Sequence, residues 1–229
     1  MKVLILFLLF CPFYLLGQER YLSSYPELGF SVEHNIIYYL RYPENYRILG
    51  NCNSSLACKN EYPESTLKSI LSAKNFDWDQ KNYDYTIKNS PEKYKMTVNA
   101  TQEEFYFELL IKITFQSNGY SFAIIKYHIK EKDRKIAACS VLIENNNEWF
   151  IIKPKGSMTK IYMMFNYLSV KSLEGIFRNK AIGNKSFDNQ IKQIYSSGIL
   201  NFNQAINSTS NSSMTKEELK LILDPLIPN

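Results

Sequence analysis

Residues 103–130, EEFYFELLIKITFQSNGYSFAIIKYHIK, carry the pattern that decides the fold. Phe105, Phe107, Leu109, Ile111, Ile113 and Phe115 recur at every second position, with Glu108, Lys112 and Thr114 between them. A period of two places the apolar set on one face of a half-buried antiparallel strand. Ser117-Asn118-Gly119 reads as a hairpin turn, and residues 120–130 as the returning strand. EKDRK at 131–135 turns the chain again, IAACSVLIE at 136–144 pairs back, and Asn145–Asn147 turn into EWFII at 148–152 before Pro154. The expectation is a curved antiparallel meander of four strands, or five if YKMTV at 94–98 is counted. Trp149 and Ile151 should then shelter with the Phe105 to Phe115 face.

Upstream the period changes. SVEHNIIYYLRYP, residues 31–43, offers Ser31 as a cap and Val32, Ile36, Ile37 and Leu40 at helical spacing, and stops before Pro43. PESTLKSILSAKNF, residues 63–76, opens with Pro63 and Glu64 and sets Leu67, Ile70 and Leu71 on one side. Two N-terminal helices are therefore expected to cover the apolar face of the sheet, which defines an α+β domain over 18–154. After Pro154 the spacing is helical: Ile161, Met164, Phe165, Leu168, Leu173 and Ile176 can share a stripe, and SFDNQIKQIYSSG gives a further short helix. This makes residues 155–206 a helical extension, either lying over the domain or acting as a separate contact arm. Residues 207–229 read as a polar linker and a closing helix that Thr215 could cap.

The first residues set the compartment. Met1 and Lys2, the apolar run VLILFLLFCPFYLL and the small-residue stretch at Gly17-Gln18 fit a secretory signal over 1–17. The run is interrupted by Pro12 and falls short of the roughly 20 apolar residues that span a bilayer. Cys11 lies inside it rather than at the cleavage point, so no lipid anchor is expected. The ending LLGQ resembles signals of Gram-negative bacteria of the Bacteroidetes type. A periplasmic or secreted protein with no transmembrane segment after signal removal is the expectation.

Removing the signal leaves 26 basic against 22 acidic residues. The charges alternate, as in KEKDRK at 130–135, so no nucleic-acid footprint is built. In an oxidising compartment Cys52 and Cys58, within GNCNSSLACKN, are expected to form a disulfide. Their five-residue spacing and the lack of a second ligand cluster argue against zinc. Cys139, inside IAACSVLI, reads as a small buried hydrophobe. Asn53, Asn99, Asn207 and Asn211 begin glycosylation sequons of the kind this composition yields by chance.

Two helices followed by long hairpin-joined strands, the last of them carrying Trp149, resemble the cystatin-like α+β superfamily that includes nuclear-transport-factor-like domains. The resemblance covers roughly residues 31–153. It implies a bent sheet wrapped on a helix, a cone whose mouth can hold a ligand, and no particular activity. Enzymes of that superfamily keep an Asp or His base inside the cone. His128 shares a strand face with Tyr120, Phe122, Ile124 and Lys126, which makes Tyr120 and His128 the binding candidates. His34 reads as a helix residue, and Asp77 and Asp79, flanking Trp78, as part of a helix-ending turn. Phosphate loops, nucleophile elbows and histidine zinc motifs are missing from the sequence, so no catalytic residue, metal or cofactor is assigned. The expected function is an exported, non-catalytic binding or protein-interaction domain whose partner is a small hydrophobic ligand or a protein. The alternatives are a small-molecule enzyme using the cone and a periplasmic partner-blocking, immunity-like protein.

Overall fold

The three hairpin turns sit where the sequence puts them, and backbone sign explains why. Asn118 and Gly119, Lys132, and Asn146 with Asn147 all have positive φ, between 52° and 78°. That sense of turn matches the right-handed twist of the strands it joins. In the structure, a computed structural model describing residues 19–22, 36–99, 104–178, 180–197 and 222–223, these turns link β4 (Phe105–Ser117), β5 (Tyr120–Glu131), β6 (Arg134–Asn145) and β7 (Glu148–Ile151). Three earlier strands join them: β1 (Glu19–Leu22), β2 (Ile36–Arg41) and β3 (Arg47–Leu49). The sheet runs β1-β2-β4-β5-β6-β7, with β3 also pairing with β4. Every neighbour is antiparallel.

β2 corrects the expectation of a helix over 31–43. Ile37 and Leu40 are three apart, as on a helix face, yet they lie on opposite faces of the sheet: Ile37 and Tyr39 pack in one core, Leu40 and Tyr42 in another. Both faces of this strand are buried, so its sequence is continuously apolar and shows no clean alternation. Ser31, Val32 and His34 lie outside the described residues, as do residues 1–17, expected to be a signal, and the linker expected from 207.

A second correction concerns β4. Its register with β5 shifts between Leu109 and Ile111, leaving Leu110 as the extra residue of a β-bulge. Phe107 and Leu109 therefore pack on one face, whereas Ile111, Ile113 and Phe115 pack on the other. The bulge coincides with a gap on the neighbouring edge, where β2 ends and β3 begins. There the Tyr42 N–H donates to the Leu110 carbonyl at 3.0 Å and the Leu109 N–H to the Tyr46 carbonyl at 2.9 Å, so the interrupted ladder stays satisfied. Trp149 and Ile151 are sheltered, but with Phe107 and Leu109 and not with the whole Phe105 to Phe115 series.

Helices cover each face. α1 (Pro63–Ser72) buries Leu67, Ile70 and Leu71 against Leu109, Ile125, Leu142 and Trp149. On the far side, α4 (Ser157–Tyr167), α5 (Val170–Arg178) and α6 (Lys185–Ser197) bury Ile161, Met164, Phe165, Leu168, Leu173 and Ile176 against Ile111, Ile113, Ile124 and Val141. The segment after residue 155 thus packs on the sheet itself. α4 and α5 are separate helices because the chain turns at Leu168-Ser169, where the Ser169 hydroxyl accepts the Ser172 N–H at 3.1 Å and caps α5. Of the expected closing helix, Ile222 and Leu223 are described: Ile222 is fully buried, and its carbonyl accepts from the Ser169 N–H at 2.8 Å and the Ser172 hydroxyl at 2.9 Å.

Lys126, 0% exposed, sits inside the larger core and donates to the carbonyls of Phe165 (2.7 Å) and Asn166 (3.3 Å) near the end of α4. An ammonium there satisfies carbonyls that the helix end leaves open and complements its negative pole. α2 (Phe76–Gln80) and α3 (Pro91–Asn99) lie between α1 and β4 in sequence. α3 replaces the strand expected at 94–98. Its start, Ser90-Pro91-Glu92, is a helix-opening pattern that outweighs the β-branched Thr97 and Val98.

Candidate functional site

A concavity lies between the α1–α2 connection and α3, and the bonds that hold its walls begin with the cysteines. Cys52 and Cys58 are bonded, as expected, and Cys58 packs with Ala73 and Trp78 in a small buried cluster. The Cys52 N–H donates to the Ser72 hydroxyl at 3.1 Å, tying the disulfide loop to the end of α1. Trp78 locks the next piece, since its indole N–H donates to the Ser69 hydroxyl at 3.0 Å. Asn75 caps α2 by accepting the Trp78 N–H at 2.9 Å. Gln80 then holds the following segment by donating to the Tyr85 carbonyl (2.8 Å) and accepting the Ile87 N–H (2.9 Å). Together these bonds fix the approach to α3.

α3 is held by a buried acid. Asp79, 2% exposed, accepts from the Lys93 ammonium at 2.6 Å and from the Tyr94 hydroxyl at 3.2 Å. Burial and the neighbouring Asp79 carboxylate push the Tyr94 phenol up to about 12, so it stays a neutral donor. Asp77 and Asp79, expected in a helix-ending turn, lie instead within α2, where Asp79 points into the interior and Asp77 is exposed.

Above this pin the groove has a volume of about 450 Å³. Phe76, Pro91, Tyr94 and Val98 supply its apolar lining, and Lys74 and Lys95 its charge. Asn75 and Asn89 add amide groups. Val98 is 59% exposed and both lysines are exposed, which makes the groove open and shallow. In sequence the α3 wall is masked by the strand-like composition of YKMTV, and the Ser90-Pro91-Glu92 start is the signal for a helix there.

The two residues singled out from sequence are not brought together. Tyr120 is 52% exposed at the β4–β5 turn, and His128 is 8% exposed on the same strand face. Eight residues of strand separate them, roughly 26 Å at about 3.3 Å per residue. His128 instead faces Glu108 across the β4–β5 ladder, with Nδ1 3.6 Å from Oε2, and Lys135 reaches the same oxygen at 3.4 Å. Glu108 is the partner that sequence reading overlooked, because the bulge puts it on the face opposite Lys112. Lys112 pairs with Glu64 of α1, which also accepts from the Tyr42 hydroxyl. Cys139 is a buried thiol beside Lys126 in the β5–β6 ladder. Among the described residues no group of three or more His, Cys, Asp or Glu side chains could hold a metal ion. Among them, too, no helix is long and apolar enough to cross a membrane.

No protein-family model, curated protein or solved structure matches the chain.

Proposed function

We propose that this chain is an exported, non-catalytic interaction domain that recognises a protein partner with its surface. The observation that carries the proposal is the two-sided packing of the sheet. Ile111, Ile113 and Phe115 are buried under α4–α6, while Leu109, Ile125 and Leu142 are buried under α1. Among the described residues both faces of the sheet carry packed side chains, which supports recognition by exposed features over an interior ligand.

Export rests on the signal-like first residues together with the Cys52–Cys58 bond, which is at home in an oxidising compartment. The resemblance to the cystatin-like superfamily is kept in this proposal for one part of the chain. What supports it is that helices α1, α2 and α3 precede the meander β4-β5-β6-β7, which ends in the Trp149 strand. The enzyme alternative loses its support because Tyr120 and His128 occupy separate places. A partner-blocking role is a narrower version of the same proposal, favoured by the local positive charge of Lys74 and Lys95 beside an apolar lining.

Native mass spectrometry of the protein purified from the exporting compartment tests the reading. The expected mass is that of residues 18–229 with the disulfide formed and no small-molecule adduct. An apolar molecule retained at unit stoichiometry would overturn it and restore an interior ligand.

A further inference from the structure

From the groove against α3 we infer the chemistry of the partner: an extended peptide segment in which an apolar side chain is flanked by carboxylates. The inference rests on the surface-recognition reading above and assigns it a place and a charge.

Shape comes first. A site for a small molecule encloses most of its ligand, whereas here Val98, Lys74, Asn75 and Pro91 are all exposed around the lining. An open groove of about 450 Å³ can take one large side chain and leave the chain that carries it in solvent. Such anchoring of a single apolar side chain on a preformed surface is how short segments bind folded domains. Preformation is visible in the bonds described above. The disulfide, Trp78, Asn75 and the Asp79–Lys93–Tyr94 pin fix both walls, so little ordering remains to oppose binding.

Charge sets the flanks. Lys74 and Lys95 line the groove, and among the described residues no carboxylate does. Asp79 is buried and paired with Lys93, while Asp77 and Glu92, adjacent in sequence to Phe76 and Pro91, are exposed and outside the lining. Two exposed ammonium groups beside an apolar lining favour a ligand that carries carboxylates next to its anchor and disfavour a basic one. Asn75 has its side-chain oxygen committed to capping α2, so its amide N–H₂ remains a donor toward the same anionic ligand.

The test is an amide NMR titration of the mature protein with three blocked peptides, Gly-Ser-Glu-Phe-Glu-Gly-Ser and its Gln-Phe-Gln and Lys-Phe-Lys versions, and with sodium laurate. The acidic peptide should shift the amides of Phe76 and of Tyr94 to Val98 together. Its affinity should exceed that of the Gln version by about tenfold, the scale of two solvent-exposed charge contacts, with the difference shrinking as salt is added. The double variant Lys74→Gln, Lys95→Gln, whose side chains are exposed and whose fold is checked by melting, should erase that preference while leaving the anchor contact. Shifts scattered away from these amides, or equal binding of all three peptides, would overturn the assignment. So would shifts produced by laurate but not by peptide, or the same shifts appearing on self-association of the protein alone. A failure here is separable from failure of surface recognition as such, which the adduct mass judges independently.

Discussion

The two ends of β4 are alike in sequence and opposite in structure. Phe107 and Leu109 belong to the core beneath α1, and Ile111, Ile113 and Phe115 to the core beneath α4–α6, although all five hold to one uninterrupted alternation. The difference is made by Leu110, the unpaired residue of the bulge. One extra residue turns a strand that would line a single face into one that joins two cores. The sheet then serves as the middle layer between α1 and α4–α6.

Adding a second extra residue should have the largest effect. An alanine inserted between Ile111 and Lys112 sends every side chain from Lys112 to Ser117 to the opposite face, carrying Lys112 into the core beneath α4–α6 and Ile113 and Phe115 out of it, which should cost more than about 5 kcal/mol and leave the protein unfolded. Deletion of Leu110 instead leaves Leu109 and Ile111 adjacent and still opposite Tyr127 and Lys126, so each side chain keeps its face, and the variant should fold at a cost of about 1–3 kcal/mol for the half-buried side chain. Circular dichroism and chemical denaturation separate the two outcomes. If the deletion unfolded the protein, Leu110 would be more than the extra residue of a bulge.

Next in size is Trp149→Ala on the α1 side. Trp149 is 8% exposed, its N–H donates to the Asn60 carbonyl at 2.8 Å and its carbonyl accepts the Thr66 hydroxyl at 2.9 Å. Truncation should lower stability by about 3–5 kcal/mol in denaturant melts. An unchanged midpoint together with lost partner binding would make this strand a binding surface instead.

These two residues also mark how far the sequence could be read. The turns at Asn118-Gly119 and Asn146-Asn147 are legible because few residues tolerate positive φ, and the meander between them follows. The α1 stripe and the disulfide are legible for similarly local reasons. β2 is not, because a strand buried on both faces loses the period that identifies it. The bulge leaves only a hint, the run Leu109-Leu110-Ile111, which helix and strand patterns share. The groove was hidden because its α3 wall draws on residues that favour strands, while its other wall is assembled by contacts distant in sequence, such as Trp78 with Ser69 and Cys58.

The disulfide sharpens the comparison by acting on one side. Replacing Cys52 and Cys58 with serine should cost about 2 kcal/mol, the expectation for so short a loop. Faster hydrogen exchange should follow in α2 and the start of α3, with the α4–α6 side unaltered. Uniform loosening of both sides would contradict two separately packed cores.

Smaller still is the alkaline response of the α3 pin. The Tyr94 phenol is raised in the folded state to about 12 from an ordinary value near 10. Its protonated form therefore favours folding fully below pH 10, and that contribution is lost as pH rises from 10 to 12. Tyr42, Tyr83 and Tyr127 are shifted the same way, chiefly by burial. Tyr94→Phe should flatten the decline by about 1 kcal/mol, read from denaturant midpoints across that window. A variant whose stability falls as steeply as the parent's would remove Tyr94 from this role.

Cys139 reports on whether the face beneath α4–α6 is closed by packed side chains. This thiol lies in the core beneath α4–α6, where burial raises its pKa and the charge of Lys126 works in the opposite direction. With a small thiol reagent on the folded chain from residue 18 onward, which lacks Cys11, labelling of Cys139 should be no faster than global unfolding. In denaturant without reductant a single site should label promptly, Cys52 and Cys58 being bonded. Rapid, complete labelling of the native protein at unchanged circular dichroism would contradict the account. It would mean that the helices leave this face open and that a ligand can enter where the structure packs Phe165 and Ile124.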